Sequence, residues 1–230
     1  MATGYTPVGY STNSVQNMQL GAGAVYLGLD VSSLTATSTY DDVQTLLRGA
    51  TNKKLGATRG GCTFNAVPTI SVMDIDDMKF PIPGASKLDS WEITLSSTAL
   101  EITQRNIEWL LPTCERDPVS GAYQVRNIIL PAHYMDNVTW VGKKGDGGYQ
   151  VINLTTVLNI AGLAQTMENQ GESTIPFTFQ AHQSELGDTD VGPFQMWLFD
   201  SNGIQGAGLM AASAGTITAK GRSYASKSDE

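Results

Sequence analysis

Charge is scarce in this sequence. Only 16% of its 230 residues are Asp, Glu, Lys or Arg, against about 25% in an ordinary soluble domain. Its polar surface must therefore come from Ser, Thr, Asn and Gln. Basic residues are the rarer sign, with 14 Lys and Arg against 22 Asp and Glu and a net charge of −8. A protein that grips nucleic acid gains affinity by releasing counterions from phosphates, which needs a basic stripe. Here the basic clusters are short: Lys53–Lys54, Lys143–Lys144, and Lys220, Arg222 and Lys227. They read as solvated loops, and the acidic balance suits a conduit for nucleic acid better than a clamp.

Cysteine and histidine are nearly missing. Cys62 and Cys114 are too few and too far apart for a disulfide framework or a metal ligand set. They read as reduced thiols packed like small hydrophobes in a protein made in the cytoplasm. His133 and His182 are the two histidines. No G-x-S-x-G, H-E-x-x-H or paired C-x-x-C accompanies them, so both read as structural or surface residues. No run of about 18 apolar residues spans a membrane. Residues 1–10 carry no basic side chain, the first being Arg48, and no apolar stretch, so no secretory signal is expected. Coiled-coil composition is absent too, while the 41% apolar content is too high for a disordered chain.

What is present is a series of short alternating segments. Residues 1–14 are small and polar and read as an arm. A strand begins near Val15, and Gly21 and Gly23 within it suggest close backbone approach or a bend. Residues 30–53 read as a polar insertion with one helix, capped by Thr39, favoured by Asp41 and Asp42 at its start, and closed by Gly49. Strands are expected at 55–64 and 69–75, separated by Asn-Ala-Val-Pro, and again at 78–82. Residues 90–103 alternate most clearly: Trp91, Ile93 and Leu95 on one face, Glu92, Thr94 and Ser96 on the other. The apolar parity then changes at Leu100 and Ile102, which predicts a bulge or bend at residues 96–99.

A two-turn helix is expected at 104–111. Ile107, Leu110 and Leu111 fall at i, i+3 and i+4, Thr103 caps it, and Pro112 stops it. Residues 113–124 read as a turn-rich loop, with strands resuming at 125–130 and 138–141. Lys144-Gly-Asp-Gly-Gly148 reads as a type I′ hairpin turn. It leads into 149–160, where Ile152, Leu154, Leu158 and Ile160 share a face. Ile175, Phe177, Phe179 and Ala181 repeat the pattern, and 194–199 is a short aromatic strand. Residues 201–230, rich in Gly, Ala, Ser and Thr, read as a second arm. About nine short strands with one or two short helices predict a mainly β fold, a β-sandwich or barrel with one flanking short α-helix, in a single domain over 15–200.

No residue set amounts to an active site. Asp74, Asp76 and Asp77 suit a hairpin turn better than a calcium loop, which needs more donors and a placed Gly. The Gly-rich 144–148 lacks the Gly-Lys-Ser/Thr of a P-loop. Glu92 and Glu101 have opposite parity and no partner-acid geometry. No enzyme, cofactor or metal is expected. Strands 90–103 and 149–160 contain neither Lys nor Pro, the residues that blunt sheet edges, so their borders are expected to be open for pairing between copies.

Several segments, in their order, resemble one family: GAGAVYLGL (21–29), LGATRGGCTF (55–64), TISVMDIDD (69–77), WEITLSSTALEIT (91–103), NVTWVG (137–142), YQVINLTTVLNI (149–160) and IPFTFQAH (175–182). Over residues 15–200 the chain is similar to the major tail tube proteins of long-tailed bacteriophages. The 30–53 insertion and the 201–230 arm match less well. The resemblance implies a fold like the type VI secretion tube subunit, with 104–111 as its flanking helix. It implies hexameric rings stacked into a hollow tube in the virion tail, assembled in the host cytoplasm. DNA passes through such a tube, and the partners are sister copies, a tape measure protein, a tail terminator and distal tail proteins. Six inner sheets would close a large β-barrel; ring closure and stacking are both heterologous contacts, and the arms would order on stacking. With Glu92, Thr94, Ser96 and Thr98 facing the lumen, the wall would be acidic and hydroxyl-rich, and DNA would slide rather than adhere. The rival readings are a capsid decoration or tail-terminator subunit, a carbohydrate-binding module using Trp91, Trp109, Trp140 and Trp197, and a hydrolase depending on His182.

Overall fold

Period-two alternation dominates the chain, and the backbone follows it into strands. The structure is a computed structural model that describes residues 14–74, 76, 79–80, 82–167, 169, 171–183 and 191–201. In order, the elements are α1 (Ser14–Asn17), β1 (Gln19–Leu27), α2 (Tyr40–Gly49), β2 (Thr58–Val72), β3 (Ser86–Ala99), α3 (Gln104–Leu110), β4 (Cys114–Arg116), β5 (Tyr123–Val125), β6 (Met135–Lys144), β7 (Tyr149–Asn159), β8 (Ile175–His182) and β9 (Phe194–Phe199). One antiparallel sheet runs β1-β6-β7-β8-β3-β2, and β9 pairs with the first half of β7. β4 and β5 form a separate small hairpin. The fold is mainly β, with one large antiparallel sheet and few helices.

The sheet curls round its main core. Val25, Leu27, Val138, Trp140, Ile152 and Leu154 from one part of the sheet face Ile93, Leu95, Ile175, Phe177 and Phe179 from the other. The approach to β2 returns to β1: Leu55 N–H donates to Val25 O at 2.8 Å, and Lys54 bridges to Tyr26. At Gly23 the expected bend occurs. Its φ is +71°, and a Cβ there would meet the Trp140 indole at 2.6 Å, so only glycine fits.

The 30–53 segment is more than a polar insertion. Leu29, Val31, Leu34, Val43 and Ala50 cover the opposite face of the sheet, packing on Tyr26, Val141, Val151, Trp197 and Phe199 as a second core. α2 starts as expected, with Thr39 N–H donating to Asp42 Oδ2 at 2.7 Å. Gly49 is its last helical residue rather than its cap; Ala50 closes it, with an ordinary negative φ.

Other expectations change. Residues 65–68 are no turn: β2 is one 15-residue strand with Pro68 inside it, and it is an edge strand, the position in a sheet where proline is tolerated. No strand forms at 78–82 among the described residues; residues 73–85, with Asp74 and Asp76, connect β2 to β3, while Asp77 and Met78 lie outside the described residues. β3 runs straight through 96–99 and pairs regularly with β8 there. The irregularity lies on the partner strand, where the three residues Gly60–Cys62 stand opposite Ser97 alone between the Arg59–Thr98 and Thr63–Ser96 pairs. Leu100 and Ile102 follow the end of β3, so their parity carries no meaning.

In β7, Val157 faces the core in place of Leu158, and Ile160 is exposed beyond the strand. The Met135–Val157 and Val138–Leu154 pairs both face inward though three residues separate them. Asn137, at φ +62°, supplies the extra rotation. The 144–148 turn is a three-residue loop rather than type I′. Gly147 has φ +92° and its N–H bonds Lys144 O at 3.0 Å, while Asp146 has no positive φ. Asp146 Oδ1 instead accepts the Gly148 N–H at 2.8 Å. Residues 126–130 form no strand; the hairpin there is β4–β5, inside what read as a loop.

Candidate assembly surface

In β3 the two faces expected from the sequence are real. Its register with β2 pairs Leu95 with Phe64, Ile93 with Ala66, Trp91 with Pro68 and, past an extra residue at Asp89, Leu88 with Ile70. Directly paired residues share a face. One face of the β2–β3 hairpin therefore carries, from root to tip, Phe64 and Leu95, Ala66 and Ile93, Pro68 and Trp91, Ile70 and Leu88, and Val72. At the root this face is core: Leu95 is fully buried. From Trp91 outward the same face lies in solvent, with Trp91 at 49% and Ile70 at 59% exposure, and Leu88 and Val72 similar. The connecting loop adds exposed Met73, Phe80 and Ile82.

This apolar face was missed, although its signal was present. Phe64, Ala66, Pro68, Ile70 and Val72 alternate without a break through the Asn-Ala-Val-Pro that read as a turn. A strand that keeps its apolar alternation beyond the core has a face made for something else. Contiguous exposed apolar surface is uncommon on a monomer and marks interaction sites.

The opposite face of the hairpin is mostly polar, with exposed Val67 as its apolar member beside Glu92. Glu92 is exposed, Ser96 and Thr98 are half-buried, and Thr94 is 7% exposed. Their register partners are Val67, Asn65, Thr63 and Arg59 on β2 and Gln180, Thr178 and Pro176 on β8. These four residues do lie together on one side of the sheet, away from the main core.

The open borders fall elsewhere than expected. β3 from Thr94 onward and all of β7 are interior strands, which is why they need no Lys or Pro. Among the described strands β1 and β9 are each paired with one strand, and on the β2–β3 hairpin the free borders are the outer side of β2 and the Ser86–Ile93 stretch of β3. These carry guards: Pro68, Lys87 and the irregularity at Asp89. Guarded edges resist indiscriminate pairing, so the apolar face, rather than bare edge hydrogen bonds, is the stronger element for assembly.

The root of the hairpin is held by α3. Thr103 Oγ1 accepts the Asn106 N–H at 3.1 Å, as expected of a cap. Of Ile107, Leu110 and Leu111, only Leu110 is fully buried; Ile107 is half-buried, and Leu111 closes the helix, half-buried, rather than lying in it. Two polar residues that the apolar spacing gave no reason to select do as much. Buried Asn106 donates through Nδ2 to Leu55 O at 2.7 Å and Glu101 O at 3.0 Å. Arg105 donates to the backbone oxygens of Asn52, Lys53 and Lys54. Burial pulls the Arg105 guanidinium below its usual value, without discharging a group that titrates so high.

The other candidates disperse. Trp140 and Trp197 are buried and Trp109 packs half-buried against the main core, leaving Trp91 as the exposed tryptophan among the described residues. His133 Nδ1 accepts the Leu130 N–H at 2.9 Å, and His182 packs edge-on to Tyr134; burial lowers the His182 value. Both cysteines are half-buried free thiols, and burial pushes both up. No group of three or more His, Cys, Asp or Glu side chains converges among the described residues, and no helix among them is long and apolar enough to cross a membrane. No family model matches the chain, and no curated protein is similar to it at a significant level.

Proposed function

We propose that this chain is a structural subunit that assembles with copies of itself into stacked rings forming a hollow tube, of the kind that bacteriophage tail tube proteins build. The observation that carries this reading is the apolar face of the β2–β3 hairpin, which continues the core face of the sheet past the end of the core. A second copy is a fitting cover for such a face, because a projecting element and its receiving surface on the next copy form a heterologous contact that repeats.

Magnitudes favour assembly by repetition over a tight dimer. Burying a large apolar side chain is worth about 1.5–3 kcal/mol, and these are already half covered. Four of them offer on the order of 4 kcal/mol per contact by the same measure, against an association cost of about 4–15 kcal/mol. One contact is weak, whereas a ring in which every copy gives and receives is not.

The polar side of the hairpin, with Glu92, Thr94, Ser96 and Thr98, is the proposed lumen wall. Hydroxyls and a carboxylate let a DNA strand pass by repulsion and weak hydrogen bonding, and the cation on this side, Arg59 beside Thr98, is paired with Glu172. The sixfold ring, the tape measure, terminator and distal tail partners and the place in the virion tail come from the family resemblance and belong to the same proposal, as does the absence of enzymatic activity.

Negative-stain electron microscopy of the concentrated protein tests it. Wild type is expected to form long hollow filaments, and Leu88→Asp with Trp91→Asp to give a folded protein without them. A wild-type chain that stays monomeric at high concentration, or filaments indifferent to the double change, sinks the reading. Short caps or decorated shells in place of filaments would favour the terminator or decoration subunit.

A further inference from the structure

A heterologous contact needs two different surfaces, one that projects and one that receives. The β2–β3 hairpin supplies the first. Outside it, the exposed large apolar side chains of the described residues gather mainly in two places. Val15 and Met18 sit at α1 with Leu20 just beyond, and Val125, Ile128, Ile129 and Leu130 run on from the end of β5. α1 lies against the β6–β7 turn, where Gly145 N–H donates to Met18 O at 2.9 Å. β3 and β7 run the same way, since both pair antiparallel with β8. That turn is therefore at the same end of the sheet as the outer half of β2–β3.

Residues 100–134 instead link the end of β3 to the start of β6. Those strand ends lie at the root of the hairpin, because Ala99 pairs with Thr58 at the start of β2 and Met135 with Val157 near the end of β7. Residues 125–130 thus stand at the far end of the molecule from the hairpin's outer half. β3 alone covers about 27 Å from Trp91 to Ala99, so a chain cannot lay its own hairpin face on this stretch. Ile128 is 60% and Ile129 54% exposed, and the Leu130 N–H is tied to His133 Nδ1. Residues 127–130 carry no charge, and Arg126 pairs with Glu115. Phe64, Ala66, Pro68, Ile70 and Val72 are uncharged as well, so the two faces meet without stripping water from an unpaired ion. Four half-covered side chains on each face amount to on the order of 200 Å² a side. Both sides together fall well below the roughly 1,200 Å² of a stable isolated pair. Such a contact holds where it is repeated, as in a stack of rings.

We propose that residues 125–130 receive the outer β2–β3 hairpin of a second copy, the two chains following one another along the direction of β3. Ile128 and Ile129 of the receiving copy cover Ile70, Leu88 and Trp91 of the projecting one. This rests on the tube reading, whose receiving surface it names.

Ile128→Asp with Ile129→Asp in the full-length chain tests it by sedimentation and negative-stain electron microscopy. Both side chains lie largely in solvent, so the single chain is expected to keep its urea midpoint. The concentration needed for filaments is expected to rise about tenfold, equivalent to about 1.4 kcal/mol per contact. Filaments of the double variant at an unchanged concentration overturn the proposal and leave the tube reading standing. A wild-type chain that forms no filaments sinks both. As a second measurement, Ile70→Cys and Ile128→Cys are made in separate chains that also carry Cys62→Ser and Cys114→Ser. The two are assembled together and treated with a short bis-maleimide, and the products are mapped by peptide mass spectrometry. A link between position 70 of one chain and position 128 of another is expected in the mixture, and none in filaments of either variant alone. Filaments of the mixture without that link, or Ile70→Cys chains that link to each other, overturn the proposal.

Discussion

Two hairpins of this sheet begin alike and end differently. β6–β7 is closed by a three-residue loop whose tip is locked: Lys144 pairs with Asp146 and Asp200, and its side chain is 12% exposed. α1 covers the tip, and both faces of the strands behind it are filled by the two cores. β2–β3 has equally good pairing and a cleaner alternation, but its outer half meets no other described strand and its apolar face stands in water. Strand pairing and alternation are therefore not what separates a structural hairpin from one left available. The difference is whether another element of the same chain lies opposite the apolar face.

The largest expected effect lies where the β2–β3 face is still core. Leu95→Ala removes a fully buried side chain and should cost about 2–5 kcal/mol of folding stability, read by urea denaturation of the unassembled protein. A cost under about 1 kcal/mol, below the usual range for such a cavity, would break the division between root and outer half.

A medium effect belongs to the clamped tip. Desolvation acts upward on Asp146, but the Gly148 N–H it accepts and the Lys144 ammonium outweigh it and hold its carboxyl below the usual value. Desolvation acts downward on Lys144, and its pairing with Asp200 and Asp146 reverses that and raises it. A lowered carboxyl stabilises the folded state fully above its unfolded value of about 3.9, and that contribution is lost as pH falls through the folded value. Asp146→Asn should therefore lose less thermal stability than wild type between about pH 6 and about pH 3. An equal loss would show that the tip is not clamped by this carboxylate.

The smallest effect on stability is expected on the same face of β3, four residues from Leu95. Trp91→Ala should change the folding free energy of the dilute protein by no more than about 0.5 kcal/mol, as at an ordinary surface position. Filament yield should nevertheless fall. A large loss of stability in the single chain would mean that Trp91 already has an intramolecular partner, and the contrast between the hairpins would vanish.

Alternation made most of the strands legible, and the cap at Thr103 placed α3 to within a residue. Asn106 and Arg105 were invisible, because the carbonyls of Asn52, Lys53, Lys54 and Leu55 that they bond lie far back in the chain and only folding brings them near. The role of residues 30–53 was hidden for a similar reason: their scattered apolar residues make no periodic pattern, yet each meets the far face of the sheet. The side of β3 bearing Glu92, Thr94, Ser96 and Thr98 was readable from parity alone. The apolar side was half misjudged, since parity says which residues share a face and nothing about how far the core extends along it.

What the sequence determined by itself is local: period-two strands, the glycine bend at Gly23, a short capped helix and a surface poor in cations. These follow from backbone sterics and from side chains a few positions apart. Strand order, the guarded borders, the second core and the point where the β2–β3 face leaves the core were decided only by tertiary structure. Each depends on which distant segment lies opposite a given face, and burial is a property of that pairing rather than of the residues on either side.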